Sequence, residues 1–187
     1  MNNMSRLVSV NKLKQRLAGE RHKLSPELIG DYMDKLNDCY LLFTVPIRPY
    51  NTAVQVVNPK KVYCVDHARA QAFFSAASGN NGLALENLVF VELRHNTENV
   101  FYYKTACGDE IDFAVGPDSD IHLIQVCWEL EKQDCTRRRE TGALLDGMKE
   151  LELQESWIIT AYEEEEYRDT QTGRWIHVVP AYKWLLQ

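Results

Sequence analysis

The chain has 187 residues, a net charge of −6, 45% hydrophobic and 26% charged side chains. That is the profile of a folded globular protein, and it excludes a disordered, collagen-like or disulfide-scaffold chain. No uninterrupted apolar run approaches the roughly 20 residues of a membrane span, and charges stand where a signal peptide would place its apolar stretch, so a cytoplasmic location is expected.

The five cysteines, at 39, 64, 107, 127 and 135, include no C-x-x-C pair, and they read as free thiols. Charge is unevenly spread. Residues 1–65 carry 10 Lys+Arg against 5 Asp+Glu, a balance of +5, and the remainder carries 11 against 22, a balance of −11. A basic module, 1–65, joined to an acidic one, 66–187, is expected; two ordinarily solvated surfaces are the alternative.

From Val8 to Leu17 the residues Val8, Val10, Leu13 and Leu17 fall near helical spacing, with Gly19 as a stop and the basic turn "GERHK" after it. In "LSPELIGDYMDKLNDCYLLF", Ser25 is the expected N-cap and Pro26 the first helical residue. Leu28, Ile29, Tyr32, Met33, Leu36 and Tyr40 recur at three and four, one stripe toward a core. "LLFTVPIRPYN" and "AVQVVNPKKVYCVD" read as two short strands with a loop between them. Two helices and then two strands is the order of a winged helix-turn-helix, with the Ser25 helix in the recognition position. Lys12, Lys14, Arg16, Arg21, Lys23 and Lys35 would supply DNA contacts; pure protein docking is the other reading.

Beyond Asp66 the pattern predicts a short helix, a Gly/Asn loop at 79–82 and a helix over 83–95 with Leu85, Leu88, Val89 and Leu93 inward. Strands follow at "NVFYYKTA", "EIDFAV" and "IHLIQVCWEL", then a helix over 136–151 capped by Thr136 and a strand "SWIITA". An acidic loop "YEEEEYRDTQTGR" and a terminal strand "WIHVVPAYKWLL" close the chain. The order is α/β (α+β), with a mixed central sheet flanked by helices.

Strand alternation predicts that Ile111, Phe113 and Val115 face one way and Glu110, Asp112 and Ala114 the other. On the neighbouring strand Gln125, Cys127 and Glu129 share a face, so pairing gathers a polar cluster near Glu86. Carboxylates on adjacent strands are how a Mg²⁺- or Mn²⁺-dependent phosphodiesterase holds its ion. In that reading Asp112 is the first ligand, Gln125 lends a carbonyl oxygen and Glu86 orients or ligates. The position two residues on, which needs a lysine, holds Cys127, and a thiol neither carries positive charge nor suits Mg²⁺. Lys104, Lys132 or Arg139 of the "RRR" run would have to replace it, although that run also reads as a solvated helix start.

The stretches "SPELIGDYMDKLNDCYLLFTV", "LENLVFVEL", "FYYKTACGDEIDFAV", "IQVCWEL", "TRRRETGALL" and "HVVPAYKWLL" resemble the C-terminal part of a family of uncharacterised prokaryotic AAA-type ATPases. In these an ATPase module precedes a winged helix and a domain similar to PD-(D/E)XK nucleases. The resemblance implies a nuclease-like fold with Glu86, Asp112 and Gln125 at the acidic motif positions and Cys127 in the lysine position. The chain has no G-x-x-x-x-G-K-[ST], hence no ATP site, and reads as an excised fragment or a shortened relative. Three functions stay open: a catalytically weak or inactive module that binds nucleic acid or a partner, a Mg²⁺/Mn²⁺ DNA endonuclease, and a purely structural interaction module.

Overall fold

The computed structural model describes residues 7–17, 25–48, 58–66, 81–131 and 134–186. The chain is a mixed α/β protein in two compact units, Met1–Gly79 and Asn80–Gln187. No helix among the described residues is long and apolar enough to cross a membrane. The short helix expected after Asp66, and Arg21, Lys23 and Lys132, fall outside the described residues.

In the first unit, β1 (Leu7–Val8) leads into α1 (Val10–Leu17) and α2 (Pro26–Asp38), then β2 (Leu42–Val45) and β3 (Lys60–Cys64). The strands form an antiparallel sheet in the order β1-β3-β2, with Val8 opposite Lys60 and Val45 opposite Lys61. Val8, expected inside a helix, is therefore in a strand. The reason is local: Ser9 caps α1, its hydroxyl accepting from the Lys12 N–H at 3.2 Å, so the helix cannot begin earlier. Ser25 caps α2 as predicted, accepting from the Leu28 N–H at 3.2 Å, and Pro26 opens that helix. The α2 stripe is narrower than its periodicity suggested. Ile29 is buried and Met33 and Leu36 are half-buried, whereas Leu28, Tyr32 and Tyr40 are exposed.

The second unit begins with α3 (Asn81–Asn96), whose first two residues fall in the predicted loop. Then come β4 (Val100–Lys104), β5 (Glu110–Val115), β6 (His122–Cys127), α4 (Asp134–Glu150), β7 (Glu155–Thr160), β8 (Glu165–Arg168), β9 (Trp175–Pro180) and α5 (Ala181–Trp184). One six-stranded mixed sheet has the order β4-β5-β6-β7-β9-β8. β4, β5 and β6 are an antiparallel meander, β6, β7 and β9 run parallel, and β8 returns antiparallel at the edge. The β5–β6 turn needs Gly116: its φ is +101°, and an added Cβ would lie 2.2 Å from the Asp120 carbonyl oxygen.

α4 lays Ala143, Leu144 and Met148 on a core that includes Tyr103, Ile111, Ala114, Leu123, Ile158, Ile176 and Val178. Gly147 lets the helix approach closely, since a Cβ there would meet Ile111 Cδ1 at 2.6 Å. Glu150, in the last turn, ties down the β4–β5 hairpin by accepting from Tyr103 Oη at 2.7 Å and the Ala106 N–H at 2.8 Å. On α3, Phe90 stacks on Phe113 with ring centroids 6.5 Å apart. Tyr102 and Tyr103 are core residues.

Other expectations are corrected as well. Strand alternation fails in "EIDFAV": between the pairs Phe101↔Ala114 and Tyr103↔Ile111, β4 advances two residues while β5 advances three. This β-bulge flips the parity, so Ile111 and Ala114 share the α4 core while Phe113 packs on α3. Thr136 lies inside α4, which already starts at Asp134, and the "terminal strand" ends at Pro180, after which α5 begins at Ala181.

The acidic "loop" contains strand β8, and each carboxylate of the EEEE run has a partner. Glu163 accepts from the Leu130 and Glu131 N–H groups at 2.6 and 2.9 Å, Glu164 pairs with Lys183 at 2.5 Å, Glu165 with Arg137, and Glu166 meets His177 Nδ1 at 2.7 Å. Glu163→Ala leaves two adjacent amides, one of them on the buried Leu130, without their acceptor. We expect a loss of about 1–3 kcal/mol in chemical denaturation; Glu164→Ala, which removes only an exposed pair, should cost less than about 1 kcal/mol.

Candidate functional site

The residues expected to carry chemistry lie where the β5–β6 ladder opens. Phe113 pairs with Ile124, and continuing that antiparallel register by one residue places Asp112 opposite Gln125. Here side chains take over from the backbone. The Asp112 N–H donates to Gln125 Oε1 at 3.0 Å, and the Val126 N–H donates to Asp112 Oδ2 at 2.9 Å. Both side chains are buried, Asp112 9% and Gln125 6% exposed. Both amides thus have side-chain acceptors, and buried amides without acceptors are costly.

A third side chain, not anticipated from the sequence, completes the cluster. Glu140 of α4 is 5% exposed and its Oε2 accepts from Gln125 Nε2 at 2.5 Å. Its other oxygen accepts from Arg139 Nη2 at 2.5 Å and Nε at 3.2 Å. The Gln125 amide has one orientation compatible with both neighbours: the oxygen must face the N–H of Asp112 and the nitrogen must face a carboxylate. The sequence did hold a signal for Glu140, which sits at i−3, i−4 and i−8 from Ala143, Leu144 and Met148. A charged residue continuing an apolar helical stripe is directed into the core.

Cys127 ends β6. Its Sγ donates to the Glu129 carbonyl oxygen at 3.2 Å. Burial pushes the thiol up to about 11, with the Glu140 carboxylate adding to the rise. Arg139, named from the sequence as a substitute cation, does reach the cluster, but through Glu140, whose hydrogen bond raises the guanidinium pKa further. Glu86 is buried on α3. Lys104 is exposed at the end of β4.

These residues are a poor match for a divalent ion. The Gln125 carbonyl oxygen expected to face a metal is engaged by a backbone amide, Asp112 Oδ2 is likewise engaged, and the amide group aimed at Glu140 is an N–H donor, which repels a cation. Among the described residues no group of three or more His, Cys, Asp and Glu side chains is arranged to hold a metal ion.

In the first unit, Lys12 and Lys14 on α1 and Lys35 on α2 are exposed. Lys35 Nζ lies 5.9 Å from the Tyr32 ring centroid. The expected recognition helix also exposes Glu27, Asp31, Asp34 and Asp38, spaced i, i+4, i+7 and i+11, so one line along α2 is acidic. Glu27 is held below the usual carboxylate range by its backbone hydrogen bond and the Ser25 hydroxyl, with a smaller contribution from Lys14. A cavity of about 330 Å³ lies between α1, α2 and the sheet, lined by Leu13, Gly30, Met33, Thr44, Lys60 and Val62 among others.

The chain is similar to Uncharacterized protein MJ1544 of Methanocaldococcus jannaschii, with 32% identity across 96% of the chain and 41% of that protein. It is also similar to an uncharacterized protein of Haemophilus influenzae, with 27% identity across 99% of the chain and 43% of the relative. The chain thus spans about two fifths of the length of the curated relatives it matches. No protein-family model matches it.

The environment of Cys127 has a direct chemical consequence. Raised to about 11, the thiol stays protonated through neutral pH. In a kinetic assay with a disulfide reagent at pH 8, the exposed Cys39, Cys107 and Cys135 should react first. Cys127 should lag at least roughly tenfold behind them, because its raised thiol holds very little thiolate at that pH. Assigning the labelled peptides by mass spectrometry checks the order.

Proposed function

We propose that this chain couples a winged helix to a PD-(D/E)XK nuclease-like domain that is catalytically weak or inactive, and that it serves as a binding module in an AAA-type ATPase-family protein. Support for the winged helix comes from the order strand, helix, helix, strand, strand among the first unit's described residues. Support for the nuclease-like domain comes from the order helix, antiparallel three-strand meander, helix, parallel strand over α3 to β7. That the two relatives carry about three fifths of their length outside the matched region leaves room in them for a further module.

The observation that carries the loss of catalysis is Cys127. A nuclease of this architecture needs a cation where this chain has a half-buried, protonated thiol, and the guanidinium beside it, Arg139, is spent on Glu140. The winged helix is read as docking a partner, because the exposed acidic line on α2 opposes a phosphate backbone. The exposed Lys12, Lys14 and Lys35 favour a second reading, contact with nucleic acid.

Two measurements test this. With single-stranded, duplex and branched DNA and Mn²⁺, no cleavage is expected; cleavage abolished by Asp112→Ala would establish the endonuclease instead. In anisotropy titrations the docking reading expects no salt-dependent DNA binding. An affinity that drops roughly 10³-fold or more between 50 and 200 mM salt, and that is lost in Lys12→Glu/Lys14→Glu, would decide for nucleic acid.

A further inference from the structure

The mismatch between the corner and a divalent ion points to a different use for it. In a metal site, Asp112 and a carboxylate at 125 would converge on a cation that also draws in any third acid. Here the buried acid is Glu140, contributed by α4, and two hydrogen-bond donors surround it: the Gln125 amide at 2.5 Å and the Arg139 guanidinium at 2.5 Å. A buried carboxylate must be neutralised or hydrogen-bonded, and these donors do that with no ion.

Gln125 also works at its other end. Its carbonyl oxygen accepts from the Asp112 N–H, while Asp112 accepts from the Val126 N–H. One amide therefore joins β5, β6 and α4. A glutamate at 125 could accept from Asp112 but would turn a negative oxygen toward Glu140 within hydrogen-bond distance, which only a cation or a shared proton would tolerate.

We propose that Asp112, Gln125, Glu140 and Arg139 form a metal-independent latch, in which the Gln125 amide and Arg139 occupy the electrostatic role of a divalent cation and pin α4 to the open β5–β6 ladder. Glu140 and Arg139 are positioning residues in this latch, and Gln125 is its centre. The inference rests on the reading of this corner as a nuclease-like site and gives it a present function: rigid attachment of α4.

Replacement of Gln125 tests the latch. In EDTA at pH 8, Gln125→Glu should melt about 10 °C below the wild type, as expected for an uncompensated buried charge in a chain of this size. The deficit should narrow as pH falls toward 5. The introduced carboxyl and Glu140 would share a proton, so one carboxyl pKa is raised in the folded state, and the stability it contributes is present at low pH and lost as pH rises through that value. Mn²⁺ alone should restore the melting temperature at pH 8 and bind with one-to-one stoichiometry by calorimetry, while the wild type shows neither effect.

Gln125→Met, which keeps length but removes the donor and acceptor, should melt lower at every pH and ignore Mn²⁺; it carries the test if Gln125→Glu does not fold. One-to-one Mn²⁺ binding by the wild type, abolished by Asp112→Asn, overturns the proposal, as does a Gln125→Glu variant that melts like the wild type across the pH range. A chain that binds no partner would instead overturn the functional reading without moving these melting temperatures.

Discussion

Two backbone N–H groups, those of Asp112 and Val126, set the design of the second unit. At the opening of the β5–β6 ladder each of these amides donates to a side-chain oxygen of the facing strand. A buried amide with no acceptor costs about 1–3 kcal/mol. The two positions must therefore supply oxygen atoms, and Asp112 and Gln125 supply them. A carboxylate facing an amide across adjacent strands is what a sequence pattern for metal-dependent chemistry looks like. Backbone accounting alone is sufficient to require it.

The same constraint reaches outward. Gln125 spends its oxygen on Asp112, which leaves its NH₂ group needing an acceptor, and α4 provides Glu140. Glu140 then requires a second donor, and its sequence neighbour Arg139 turns back onto it. Four polar groups satisfy one another in a chain that starts from two backbone amides. The Cys127 thiol sits beside this assembly, where burial and the Glu140 charge keep it neutral. A lysine there would compete with Arg139 for the same carboxylate.

Local patterns were readable from the sequence wherever one element settled the matter. Ser25 and Pro26 announced the start of α2, and the β-rich runs at 100–104, 110–115, 122–127 and 155–160 fell where alternation and composition placed them. What escaped was non-local. The parity of β5 depends on how β4 aligns with it, so no inspection of "EIDFAV" reveals that Ile111 and Phe113 part company. Glu140 meets Gln125 only because α4 folds back across the sheet. The second half of the EEEE run enters β8, and its four acids find distant partners: Glu163 two amides, Glu164 Lys183, Glu165 Arg137 and Glu166 His177. Segment charge misled for the same reason: residues 1–65 total +5, yet their best-defined helix is acidic along one side.

β8 is a short edge strand, and Glu165 and Glu166 are exposed along it. An open sheet edge invites another chain to add itself as a strand, and brevity together with charge discourages this. The run that first reads as a tether of solvated acids thus also acts as a guard rail, steering newcomers away from β-augmentation on that flank. Associations compatible with this edge are those that approach through helices and loops, so on this side the six-stranded sheet ends where β8 ends it.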